Sequence, residues 1–181
     1  MKRTSKAAAK VVVFENNDPI AAETEAIQNR VRERAFEISR TRPPDAHELY
    51  DWLMAESQVI SVPAAELVER DGQFEVKFAV AGVNPDDVNI MVTPDQVLLK
   101  SEFSHEHGAE IGTVHLCDFK SATVFRSVNL PQPIDVNSVK IGSSQGLITV
   151  TAAKQGAERS RPKRSSTARK TTAKKPRVKA S

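Results

Sequence analysis

The sequence predicts a mainly β chain: an antiparallel β-sandwich with an N-terminal helical hairpin and a disordered basic C-terminal tail. Three observations carry this. Between Val62 and Lys154 apolar and polar residues alternate in seven or eight short runs, with turn residues roughly every eight to twelve positions. Before them, residues 18–60 place apolar side chains at helical spacing. After Lys154 all periodicity stops.

Residues 1–17 are basic, then briefly apolar, then polar. Val11, Val12, Val13 and Phe14 can add an edge strand or remain a mobile arm, and the mobile arm is the expectation. The hairpin, residues 18–60, opens at Asp18-Pro19, where Asp18 is expected to cap the helix and Pro19 gives up an amide that has no intrahelical partner. Ile20, Ile27, Val31, Ala35 and Ile38 then form one stripe. Pro43-Pro44 ends the helix, and Asp45 with Glu48 predicts a capping box for a second helix presenting Leu49, Trp52 and Leu53. The two apolar stripes are expected to pack on each other, or else to leave apolar surface for a partner. The wording around Arg34-Ala35-Phe36-Glu37 and Asp51-Trp52-Leu53-Met54-Ala55-Glu56 resembles a short helical module of bacterial proteins and implies no chemistry.

The sandwich, residues 61–154, begins with a strand at Glu66–Glu69, a tight turn at Asp71-Gly72, and Phe74, Val76, Phe78 and Val80 along one face of the next strand. Gly82–Asp86 breaks the pattern, Val88, Ile90 and Val92 resume it, and Pro94-Asp95 turns the chain into Val97–Lys100. Residues 104–120 form a longer connection. A strand ending in Leu130-Pro131 follows, then a hairpin of Val139–Ser143 and Leu147–Thr151 about Gln145-Gly146. The tail, residues 155–181, consists largely of Lys, Arg, Ser, Thr, Ala and Pro, a composition that cannot bury enough to order itself.

The formal net charge of +3 conceals a segregation. Lys154–Ser181 holds eleven Lys/Arg and one acid, so an acidic body wears a basic tail. Such a tail suits nonspecific contact with nucleic acid, although it has no aromatic side chain to stack on bases. Cys117 is the single cysteine, which excludes an intramolecular disulfide and suits a reducing compartment. No export signal or apolar run of about 20 residues is present, so a cytoplasmic protein without membrane partners is expected. There is no phosphate loop, no G-x-S-x-G and no H-E-x-x-H, so neither enzyme nor cofactor is expected. His105, His107, His115 and Cys117 offer metal-ligand atoms at a spacing that matches no common zinc arrangement, and no metal is expected.

With these residues in place, the segment Val62–Lys154 resembles the α-crystallin domain of the small heat shock proteins. The likeness rests on Phe78–Val88, with Ala81 where proline is usual, and on Val97–Glu102. It rests also on Val124–Pro131, with valines at both aromatic positions, and on Val139–Ile148, with Ile141 for alanine and Gln145 for asparagine. The resemblance implies an immunoglobulin-like sandwich and an ATP-independent chaperone, a holdase that binds unfolding clients and prevents their aggregation. A nucleic-acid-associated binding protein using the basic tail is the alternative. It also implies a homodimer whose loop 104–120 crosses to the partner, with Arg126, His115 and Cys117 near the seam. Client or tail segments would dock in a groove at Val88, Ile90, Val92, Val139 and Ile141, some of which are expected to be ordinary sandwich core because alternation does not say which face is covered. Phe14, Phe36 and Trp52 are the expected N-terminal client contacts. The family's Ile-x-Ile tail motif is reduced here to Val178 and Ala180, so small, labile oligomers are expected.

Overall fold

The computed structural model describes residues 9–43, 47–105, 107, 112–117 and 121–156. Among the described residues, nine strands and two α-helices run β1 (Lys10–Val13), α1 (Asp18–Ser39), α2 (Glu48–Val59), β2 (Ile60–Ser61), β3 (Ala65–Arg70), β4 (Gln73–Ala79), β5 (Asn89–Val92), β6 (Gln96–Phe103), β7 (Ala122–Asn129), β8 (Lys140–Ser144) and β9 (Leu147–Ala153). They form two sheets, ordered β1-β5-β6-β7-β2 and β3-β4-β9-β8. All neighbours are antiparallel except the outermost pairs of the first sheet, β1 on β5 and β2 on β7.

Alternation builds the sandwich. Phe74, Val76 and Phe78 of β4 and Ile148, Val150 and Ala152 of β9 face inward, as do Ile90 and Val92 of β5 and Val97 and Leu99 of β6. Each such side chain, once buried, contributes about 1.5–3 kcal/mol. The two tight hairpins have the backbone their residues demand: Asp71 (φ 48°) with Gly72 (φ 75°), and Gln145 (φ 52°) with Gly146 (φ 75°). Positive φ at both central positions matches the right-handed twist of the strands they join.

Helix α1 buries Ile20, Ile27 and Val31, three members of the expected stripe. Its Glu23 and Arg30 share that face and bind outward-facing residues of the first sheet. Lys100 Nζ donates to Glu23 (2.8 Å), while Arg30 donates to Thr123 (2.7 Å) and Glu102 (3.2 Å). Leu98, pointing away from the sandwich interior on the same side, is completely buried.

Several local expectations change. Asp18 is not the cap: Asn17 holds that position without a side-chain capping bond, its Nδ2 donating instead to Asp95 Oδ2 at 3.0 Å, and Asp18 donates its own amide to Asn16 Oδ1. For α2 the cap is His47, whose Nδ1 accepts from Leu49 N at 3.1 Å, because the helix starts at Glu48. Asp45 lies outside the described residues. The face of α2 that turns inward carries Asp51 and Ala55, leaving Leu49, Trp52 and Leu53 exposed. Residues 157–181, with Val178 and Ala180, also lie outside the described residues.

Candidate functional site: an edge groove covered by the N-terminal arm

Strand β5 is short and lies second in its sheet, inside β1. Val88, Ile90 and Val92 are completely buried, and Val139 and Ile141 are half-buried against the same cluster. The first three are therefore core side chains, and what they leave for a ligand is the outer backbone edge of β5. The mixed character follows from alternation, which sets a side chain's face but not whether a second layer covers it.

That edge is occupied. Where the sequence predicts a mobile arm, Lys10–Val13 pairs with β5 in parallel register: Lys10 with Asn89, Val11 with Ile90, Val12 with Met91 and Val13 with Val92. Flanking bonds fix both ends, Lys10 N to Val88 O and Phe14 N to Val92 O, each 2.8 Å. This register turns Ala9, Val11 and Val13 to the inner side. Ala9 joins the core, whereas Val11 and Val13 remain 39% and 42% exposed. Phe14 is half-buried. An alternating Ala-x-Val-x-Val thus lies along β5, beside the residues at which the resemblance implies docking of client or tail segments. Its signal in the sequence is the spacing of two, weakened by Val12, which makes the run uniformly apolar.

Beyond Phe14 the groove opens into a cavity of about 490 Å³ lined by Glu15, Pro94, Ile134, Asp135, Val136 and Lys154 among others. A second apolar surface lies on the helical hairpin. Phe36 (67% exposed) and Trp52 (38%) line an open cleft of about 380 Å³ between α1 and α2. Arg42 closes that cleft by donating to buried Asp51 at 2.8 Å. Arg126 is exposed on β7, opposite Leu99 in the ladder, and its side chain makes no hydrogen bond or ion pair among the described residues. His115 and Cys117 are exposed in the β6–β7 connection. The structure therefore divides the expected site residues among four places: the groove, the hairpin cleft, the β7 edge and the long connection.

On the outward face of β4, Lys77 binds Glu75 (2.9 Å) and Glu66 (3.2 Å), and these hydrogen bonds raise its pKa. No helix among the described residues is long and apolar enough to cross a membrane.

Comparisons with known proteins find similar sequences and structures. Proteins called "Alpha-crystallin" from Mycobacterium tuberculosis (strain CDC 1551 / Oshkosh) and Mycobacterium bovis are each 31% identical to this chain over 85 residues, covering 46% of it and 56% of the relative. The chain thus spans about half the length of the curated relatives it matches. Among solved structures, heat shock protein 16.0 from Schizosaccharomyces pombe shares 20% identity at a TM-score of 0.49, covering 64% of this chain and 99% of that one. A small heat-shock protein from Xylella fastidiosa shares 18% at 0.46, covering 64% and 98%. The family model described as "Hsp20/alpha crystallin family" matches residues 66–167, more than half of the chain, and takes in every strand from β4 to β9. With its two-sheet sandwich and the motifs that line the groove, the chain belongs to the Hsp20/alpha crystallin family.

Proposed function

We propose that this protein is an ATP-independent holdase whose N-terminal arm and unfolding clients compete for the outer edge of β5. The observation that carries the reading is β1 itself: a four-residue parallel strand whose inner valines remain two-fifths exposed. Partial burial of two valines contributes less than the roughly 1.5–3 kcal/mol of one fully buried aliphatic side chain each. Short, partly exposed edge segments open at low free energy.

When β1 leaves, β5 presents a row of free backbone groups beside the apolar flank of Val139 and Ile141. An unfolding client offers what fits there, an extended strand with apolar side chains at alternate positions. Replacing arm by client exchanges one set of strand hydrogen bonds for another. No nucleotide hydrolysis is needed to drive such an exchange. Phe14, Phe36 and Trp52 would add mobile apolar contacts, and a client longer than a few residues can reach more than one of these surfaces.

Assembly belongs to the same proposal. The β7 edge beyond its two-residue pairing with β2 suits a homodimer seam, with Arg126 as an inward-pointing edge charge that needs a partner. The arm, already seated in its own groove, does not link subunits as a tail motif would, which favours dimers or small labile oligomers. The test is light scattering of a heat-denaturing client without ATP. The full chain should suppress aggregation at equimolar ratio. The Val11→Ser/Val13→Ser variant, with its arm loosened but Phe14 kept, should do so at a lower ratio. Unchanged aggregation at molar excess of the full chain would overturn the proposal.

A further inference from the structure

The β6–β7 connection gathers three of the four histidines of the chain and its only cysteine within thirteen residues. The fold then brings three of these together. One ligand atom each from His105, His107 and Cys117 lies within 4.8 Å of the others. Two local features produce this. The imidazoles of His105 and His107 meet edge to face, nearly perpendicular, with ring centroids 4.8 Å apart. His105 N donates to Ser121 Oγ at 3.1 Å, which anchors it beside the start of β7, and the returning chain lays Cys117 against the pair. Nε2 of His105 is shielded from solvent, whereas His107 and Cys117 are exposed and leave an approach open.

We propose that His105, His107 and Cys117 bind a zinc-type divalent cation. Two neutral imidazoles and a thiolate are the donor set that borderline d10 ions prefer over calcium or magnesium, which take oxygen ligands. Around tetrahedral zinc, with bonds of about 2.0–2.1 Å to nitrogen and 2.3 Å to sulfur, ligand atoms sit roughly 3.3–3.6 Å apart. The three atoms, all within 4.8 Å of one another here, would draw together on binding. Three protein ligands leave a fourth position for water or another side chain. The bound ion would pin the returning half of the connection to the end of β6, a link between distant residues that sequence spacing alone does not reveal.

Cobalt(II) titration of the full-length chain under reducing conditions tests this. The proposal expects one ion per chain, tetrahedral visible bands and a thiolate-to-cobalt charge-transfer band near the ultraviolet. Cys117→Ser should lose the charge-transfer band, and the His105→Ala/His107→Ala pair should weaken binding by more than the roughly 10–100-fold that losing an outer-shell partner costs. Zinc should also slow alkylation of Cys117 in the natural chain and not in the double histidine variant. An octahedral spectrum without the charge-transfer band, or zinc protection that survives loss of both histidines, would overturn it.

Discussion

Ile90 and Gly146 show how differently single positions constrain this sandwich. Ile90 is completely buried at the margin of the core, so Ile90→Ala should cost about 2–5 kcal/mol in urea unfolding. A substitution there reports on folding before it reports on client binding. Gly146 has φ +75°, and a Cβ at that position would lie 3.3 Å from the Ala81 Cα. Gly146→Ala should cost about 1–2 kcal/mol from its left-handed backbone alone. Gly142, which has open space around it and no such dihedral, should accept alanine with much less loss. At this scale the sequence was legible wherever one residue type answers a local demand, as at Asp71-Gly72 and Gln145-Gly146. It was only partly legible at the groove, where some wall residues are expected to be core and alternation does not say which. Val88, Ile90 and Val92 share the pattern of an open wall and turn out to be core, because the opposing sheet that covers them is remote in sequence.

At the scale of elements, helices and strands form where their periodicities place them, while ends and partners depend on what packs nearby. Helix α1 buries the stripe of Ile20, Ile27 and Val31, but its cap is Asn17 and not Asp18. In α2 the salt bridge of Arg42 with buried Asp51 turns the helix so that Leu49 and Leu53 face outward. Arg42→Ala would leave that carboxylate buried without its cation, at a cost of up to about 3–5 kcal/mol. Hydrogen exchange should show faster amide exchange across α2, with β4 and β9 little changed. Strand β1 is the largest departure from expectation. Val11–Phe14 carries no turn signal, and its partner β5 lies far along the chain, so pairing had to be seen to be known. At the opposite margin, Arg126→Glu should raise the dimer dissociation constant proposed for the β7 edge at least tenfold, about 1.4 kcal/mol, measured by native mass spectrometry.

For the whole molecule, the two-sheet sandwich and the family were legible because four motifs fall in order along half the chain, and the helical hairpin was legible from the helical spacing of its apolar residues. The pairing of arm with groove was not, and on it rests the proposed mechanism: client capture by exchange of equivalent edge strands. Lys77, on the outward face of β4, titrates only on the alkaline side. Its pKa is raised by Glu75 and Glu66, so its contribution is fully present below the unfolded lysine value and is lost only as alkaline pH rises through the folded one. The exchange itself can be tested by locking the arm. Val12 and Met91 are direct partners in the β1–β5 register, and adjacent strands lie about 4.8 Å apart, within disulfide reach. In a Cys117→Ser background, Val12→Cys with Met91→Cys should therefore cross-link β1 to β5. Aggregation of a heat-denaturing client, followed by light scattering without ATP, then decides the matter. The account predicts that the oxidised protein loses most of its suppression and regains it on reduction; equal suppression in both states would contradict it.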